Sequence, residues 1–149
     1  MYLSLDRTYA FDETGKKKEP LSFGFTRELS SDGSSSGVVD LNDVRIYQNP
    51  RFERTIEISK EQYDKIIEFA ENPEKYGFDK DNYNLVTNAC TDYAWGALNH
   101  AGLRPVGLAG EIRNYEGTIK VLDNILPINA IPQQVKGSDL DKVKWNDMP

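Results

Sequence analysis

The segment from Cys90 to Gly102 places the chain's only cysteine at the start of a stretch with helical periodicity. Small and apolar residues recur on roughly one face after the cysteine, and a glycine stands where helices commonly end. These residues are Ala94, Ala97, Leu98, Ala101 and Gly102. The pattern predicts a helix from about Cys90 to Ala101. Because alanine side chains are small, this helix can pack closely against a sheet, with Cys90 at the inner edge of its start and within reach of strands.

The residues before position 59 have the pattern of strands rather than of helices. Short runs of β-branched and aromatic residues alternate with turn-forming residues, as in hairpins. We predict strands at residues 2–5, 8–11, 21–26, 38–47 and 52–58. The stretch at 30–37 contains only Ser, Gly and Asp, which predicts a flexible loop.

A second helix is indicated by its N-terminal sequence. Ser59 and Gln62 have the spacing of a capping box, and Ile58 and Tyr63 fit a hydrophobic staple. Apolar residues then follow at helical spacing and are predicted to lie in the core; they are Tyr63, Ile66, Ile67 and Ala70. The pair at 72–73, Asn-Pro, ends this helix. After Gly102 the pattern predicts loops, one or two short strands and a wrapped C-terminal segment.

Composition excludes several classes of function. The chain has 149 residues, which suits one domain, and a net charge of −6 with an isoelectric point of about 4.8. This net negative charge argues against a nucleic-acid partner. No apolar run approaches the ~20 residues that a membrane-spanning helix needs. A single cysteine permits no internal disulfide and no thiolate-rich zinc site. No phosphate-binding loop motif is present, and we expect no cofactor and no metal.

Cys90 has two interpretations. At a helix N-terminus, unpaired backbone N–H groups and the positive end of the helix dipole favour the thiolate, which is a nucleophile. Many lone cysteines are instead buried, inert and equivalent to small hydrophobes.

A cysteine nucleophile normally needs a histidine as its base. The only histidine, His100, follows ten residues later on the same predicted helix, or about 15 Å along its axis. Because a base must come within about 3 Å of the group it activates, we predict that His100 is not the base. Its expected role is that of a polar residue in the last helical turn.

Residues 83–103 resemble the cysteine-helix motif of a group of bacterial effector toxin domains. These domains have the permuted papain-like fold of the NlpC/P60 type and are associated with type VI secretion and polymorphic toxins. Residues 21–25, 115–117, 122–125 and 146–149 extend the resemblance. It implies an α+β fold in which an antiparallel sheet packs against a helix with the cysteine at its N-terminus, in one domain over residues 1–149.

The resemblance also implies an activity. Cys90 would be the catalytic thiolate of a cysteine peptidase or amidase that forms an acyl-enzyme with peptidoglycan stem peptides and lyses a competing bacterium. A cognate immunity protein and the secretion machinery are the implied protein partners. Because the N-terminus lacks the layout of a signal peptide, we expect synthesis in the bacterial cytoplasm, followed by secretion and action in the periplasm of the target cell.

Four further residues are candidates for supporting roles around Cys90. Asn88, or its neighbour Thr87, would cap the helix and hold Cys90 in place, and Asp92 would orient a neighbouring group. Ser22 would face Cys90 from a strand, and Tyr83 would line the site. Three of them have a structural alternative. Asp92 would be solvated in the first helical turn, where the helix dipole favours an acidic residue. Ser22 would be an ordinary sheet serine, and Tyr83 would pack in the core with its hydroxyl hydrogen-bonded.

The sequence departs from the family in two respects. Ala89 precedes the cysteine where the family usually has asparagine, and the Gly-His pair that precedes an early strand is missing. That strand resembles residues 1–5, so the expected histidine falls before Met1.

Three explanations follow: the chain is a fragment whose preceding residues hold the base, another chain supplies it, or the chain is a pseudoenzyme. The first is favoured because the sequence begins directly on the strand. The alternative to an enzyme is a catalytically inactive papain-like binding module. Acyl transfer on lipids or cleavage of ubiquitin-like tails ranks lower, since no amphipathic lipid-binding segment is visible.

Overall fold

The computed structural model describes residues 3–5, 14, 21–29, 35–40, 52–79, 90–118 and 120–145. These residues form an α+β structure in which helices accompany three small antiparallel sheets. The predicted α+β class is therefore confirmed. No helix among the described residues is long and apolar enough to cross a membrane.

The N-terminal sheet has three antiparallel strands in sequence order, β1 (Leu3–Leu5), β2 (Leu21–Leu29) and β3 (Ser35–Asp40). The predicted strands at 2–5 and 21–26 are confirmed where the structure describes them. The loop predicted at 30–37 is wrong at its end, because residues 35–37 pair with residues 27–29 of β2. This cross-strand pairing outweighs the low strand propensity of Ser and Gly. Residues 8–11 and 41–47 lie outside the described residues.

Helix α1 (Lys60–Glu71) begins at the predicted capping box. The Ser59 side chain accepts from Gln62 N at 3.1 Å, and Ser59 N donates to Gln62 Oε1 at 3.1 Å. The helix ends at Asn72, and Pro73 opens a 3₁₀ helix (Pro73–Tyr76). The predicted strand before α1 is shorter than expected: β4 (Phe52–Thr55) stops because Glu57 N donates to the Asp141 side chain at 2.8 Å instead of extending a ladder.

Helix α2 (Cys90–His100) confirms the helix predicted from about Cys90 to Ala101. Gly102 follows it with a φ of 77°, a conformation that favours glycine. The predicted buried face is confirmed, and α2 packs against both α1 and β2. The approach to α1 is close at Gly96, where an added Cβ would stand 2.7 Å from Phe69 Cζ.

The C-terminal third is more ordered than the sequence predicts. It contains a short hairpin, a 3₁₀ helix, a short α-helix and a strand that pairs with β4: β5 (Val106–Gly107), β6 (Gly110–Glu111), the 3₁₀ helix Val121–Asn124, α3 (Ile125–Asn129) and β7 (Lys142–Trp145). Helix α3 was missed because it contains Pro127. That proline lies in the first turn of the helix, where a backbone N–H has no helical partner.

Hydrogen bonds join the predicted wrapped C-terminal segment to earlier elements, and the last residues of that prediction, 146–149, lie outside the described residues. Gln62 Nε2 donates to Gln134 Oε1 at 2.9 Å, and the Arg54 guanidinium donates to the carbonyl of Ile128. Burial lowers the pKa of Arg54, and the nearby Asp141 carboxylate opposes this effect. These contacts tie residues 128–141 to β4 and α1.

The core lies between α1, α2 and the segment that follows α3. Its buried members are Tyr63, Ile66, Phe69, Ala70, Tyr93, Trp95, Ala97, Leu98, Ala101, Leu103 and Ile131. The predicted core positions of α1 are confirmed, with Ile67 packed against the cluster in a partly buried position. The core thus fixes the position of α2 relative to α1.

Candidate active site

Cys90 is the first residue of α2. The first backbone N–H groups of a helix have no partner within it, and together with the helix dipole they form an electropositive environment. The next residue, Thr91, is buried, and Asp92 is partly buried in the first turn. Position 90 is thus a helix start, a location in which reactive cysteines commonly occur.

The N-terminal sheet lies next to this helix, because α2 packs against β2. Ser22 is near the start of β2 and pairs with Ser4 of β1. The strand of Ser22 and the helix of Cys90 are therefore in contact. Whether Ser22 supports the site stays a prediction, as does the orienting role of Asp92. Tyr83, Thr87 and Asn88 lie outside the described residues.

His100 stands at the opposite end of the same helix as its last residue. It lies ten positions after Cys90, or about 15 Å along the axis. Its ring packs on Tyr76 with 4.1 Å between centroids, and its Nε2 lies 3.8 Å from Glu68 Oε2. His100 is therefore excluded as the base for Cys90 within this chain.

The middle of α2 is held by a buried polar contact that the sequence did not reveal. Trp95 Nε1 donates to Asn124 Oδ1 at 3.1 Å, and both side chains are 1% exposed. The ring of Tyr115 packs edge-on against Trp95, with centroids 4.7 Å apart. Burial raises the pKa of the Tyr115 hydroxyl. We call the three side chains Trp95, Tyr115 and Asn124, together with Gly117, the Trp95 lock.

Within the described part of the chain, no group of three or more His, Cys, Asp or Glu side chains could hold a metal ion. At the start of α2 the described residues offer a cysteine at a helix N-terminus.

Comparison of the chain with protein-family models, with curated proteins and with solved structures returned no match. The papain-like interpretation accordingly stays a proposal. It depends on the resemblance of residues 83–103 and on the position of Cys90.

Proposed function

We propose that this chain is a cysteine peptidase or amidase of the permuted papain-like type that acts on peptidoglycan stem peptides. The observation that carries the proposal is the position of Cys90 as the first residue of α2, a helix packed against the antiparallel strand β2. Papain-like hydrolases use a cysteine in this position, at the N-terminus of a helix beside a sheet. The motif resemblance of residues 83–103 supports the same assignment.

The proposed reaction proceeds through an acyl-enzyme. The Cys90 thiolate attacks the carbonyl carbon of the amide, and the C–N bond breaks as the leaving amine takes a proton. Water then attacks the thioester, which releases a carboxylic acid and returns the thiol. Backbone N–H groups at the start of α2, including that of Cys90, would stabilise the oxyanion in both steps.

The mechanism requires an imidazole that residues 1–149 do not supply at this position. His100 is the only histidine, and it stands at the far end of α2. The proposal therefore assigns the base to a residue outside this sequence, in the same polypeptide or in another. The proposed biological role is that of an antibacterial effector, secreted from its producer, acting in the target-cell periplasm and neutralised by a cognate immunity protein.

A second candidate is a binding module with the same fold and no catalytic activity. The position of His100 favours it, because the sole imidazole packs against Tyr76 and Glu68 rather than near the start of α2. Such a module would hold a cell-wall fragment or a partner protein at the surface that the enzyme would use for hydrolysis.

We expect Cys90→Ala to abolish the release of soluble peptide fragments from purified peptidoglycan by the full-length protein. The reason is that no acyl-enzyme can form without the thiol. The measurement is chromatographic quantification of released fragments, with circular dichroism to show that the variant folds. The Cys90→Ser variant is a matched control for shape, since its hydroxyl is far less acidic than a thiol and is a much weaker nucleophile.

Co-sedimentation with insoluble peptidoglycan separates the two candidates. The enzyme predicts release by the wild type alone, whereas the binding module predicts binding by both proteins and release by neither. Equal release by the wild type and by Cys90→Ala would show that Cys90 is not the nucleophile.

A further inference from the structure

The strand β7 has a single neighbour among the described residues. It pairs antiparallel with β4, from Trp145 opposite Phe52 to Lys142 opposite Thr55. No backbone group of the described residues outside β4 bonds to it. In an antiparallel pair, alternate residues direct their N–H and C=O groups away from the partner strand. The outer edge of β7 therefore has donors and acceptors that no described residue satisfies, and such an edge can pair with another extended chain.

The side chains of β7 are also open to solvent. All four residues are exposed, whereas β4 alternates between half-buried and exposed residues. Val143 and Trp145 are 50% and 60% exposed and lie on the same face of the ribbon. Phe52 packs edge-on against the Trp145 ring, with centroids 4.8 Å apart. A two-stranded ribbon gains stability from a third strand, and a strand beside β7 would bury part of both apolar side chains.

The opposite face of β7 is basic. Lys142 and Lys144 alternate with the apolar pair and so share that face. Glu53 Oε2 lies 3.9 Å from Lys144 Nζ, an exposed contact of little strength. Lys142 is opposite Thr55 and has no ion pair among the described residues. An incoming strand thus meets two lysines at alternate positions, in a chain whose net charge is −6, and this favours acidic residues opposite them.

A second copy of this chain is a poor match for the edge. When two β7 strands pair antiparallel around a two-fold axis, residues of one face stay on that face. Every such register that pairs at least three of residues 142–145 sets Lys144 opposite itself or opposite Lys142. Like charges directly opposite each other are destabilising, and lysines on edge strands discourage pairing between identical edges. The charge pattern therefore selects a different partner.

We propose that the outer edge of β7 binds an extended segment of a partner protein in which acidic residues alternate with apolar ones. Main-chain hydrogen bonds of the added strand give affinity, and its alternate side chains give specificity. The acidic residues face Lys142 and Lys144, and the apolar residues face Val143 and Trp145. This site goes beyond the proposed hydrolase function and does not depend on it, because it includes no residue of α2.

The test uses two synthetic peptides with blocked termini, one alternating Glu with Val and one alternating Lys with Val. Titration of the full chain is followed by NMR of the backbone amides. We expect the Glu-Val peptide to shift the amide resonances of residues 142–145 and to slow hydrogen exchange of the outward-facing amides among them. The Lys-Val peptide should do neither. The proposal is wrong if the Glu-Val peptide leaves residues 142–145 unchanged, or if the Lys-Val peptide binds them as tightly.

Lys142→Glu tests the charge assignment with little risk to the fold, because Lys142 is exposed and faces Thr55. It should weaken binding of the Glu-Val peptide about fivefold, since an attractive cross-strand pair becomes repulsive. Lys136→Glu is the matched control, because Lys136 is exposed, lies outside β7 and changes the net charge equally. Equal affinities of the two variants would overturn the proposed pairing. A dimer that forms without peptide and protects the amides of residues 142–145 would overturn it too, because the occupant would then be a second copy.

Discussion

Replacing Asn124 by alanine is expected to lower the free energy of unfolding by about 3 kcal/mol, because it leaves buried donors without acceptors. The Asn124 carboxamide oxygen accepts from Trp95 Nε1 at 3.1 Å and from the backbone N–H of Thr118 at 3.0 Å. Its nitrogen donates to the carbonyls of Thr118 and Lys120, each at 3.3 Å. The side chain is 1% exposed, so water cannot replace these bonds without rearrangement.

The measurement is denaturant unfolding followed by far-ultraviolet circular dichroism. Asn129→Ala is the matched control, since Asn129 is an exposed asparagine near the end of α3. Removal of the Asn129 side chain should change the free energy of unfolding by less than about 0.5 kcal/mol, as is usual for surface substitutions. Equal unfolding midpoints for the two variants would contradict the role assigned to the Trp95 lock.

Replacing Gly117 by alanine is expected to lower the free energy of unfolding by about 3 kcal/mol, the sum of backbone strain and overpacking. Gly117 has a φ of 84°, in the region that disfavours side chains. Its Cβ would also meet Trp95 Cδ1 at 2.6 Å and Asn124 Oδ1 at 2.8 Å. Both neighbours are buried and hydrogen-bonded to each other, so neither can move aside cheaply.

Gly137→Ala separates the two causes of this expected loss. Gly137 has a similar φ of 77°, but a Cβ there meets nothing within 4 Å. We therefore expect Gly137→Ala to cost only the backbone term of about 1–2 kcal/mol. If the two alanine variants unfold at the same denaturant concentration, then the contact of residue 117 with Trp95 contributes nothing to stability.

The Trp95 lock matters for the candidate site because Trp95 and Cys90 share α2. Helix α2 is held by α1 on one side, by β2 on another and by Asn124 through Trp95. If α2 were packed less firmly, the position of its first turn would be less well defined. We therefore expect the Asn124 and Gly117 variants to have both a lower free energy of unfolding and a less well defined position of Cys90.

Local sequence signals predicted α1 and α2, the two helices that contribute most of the core. The capping box at Ser59 and the spacing of small residues after Cys90 each depend on residues within a few positions of one another, and both helices begin where predicted. The antiparallel strands at 3–5 and 21–26 were equally visible from composition. The position of Cys90 at a helix start was thus available from sequence alone.

Contacts between distant residues were not predictable in this way. Residues 35–37 look like a flexible loop until they pair with β2. Trp95 and Asn124 are 29 positions apart, and no periodicity links them. His100 contacts residues of α1 and of the 3₁₀ helix, whereas the sequence indicated only a polar residue near the end of a helix.

The most direct test of Cys90 as a nucleophile is the pH dependence of its alkylation by iodoacetamide. The chain has one cysteine, so all label reports on Cys90, and the same thiol in the unfolded protein provides the reference. The helix N-terminus predicts that the rate reaches half its maximum at a lower pH in the folded protein than in the unfolded one. A midpoint that is the same or higher in the folded protein, with slow labelling, would contradict the account and identify Cys90 as a buried structural cysteine.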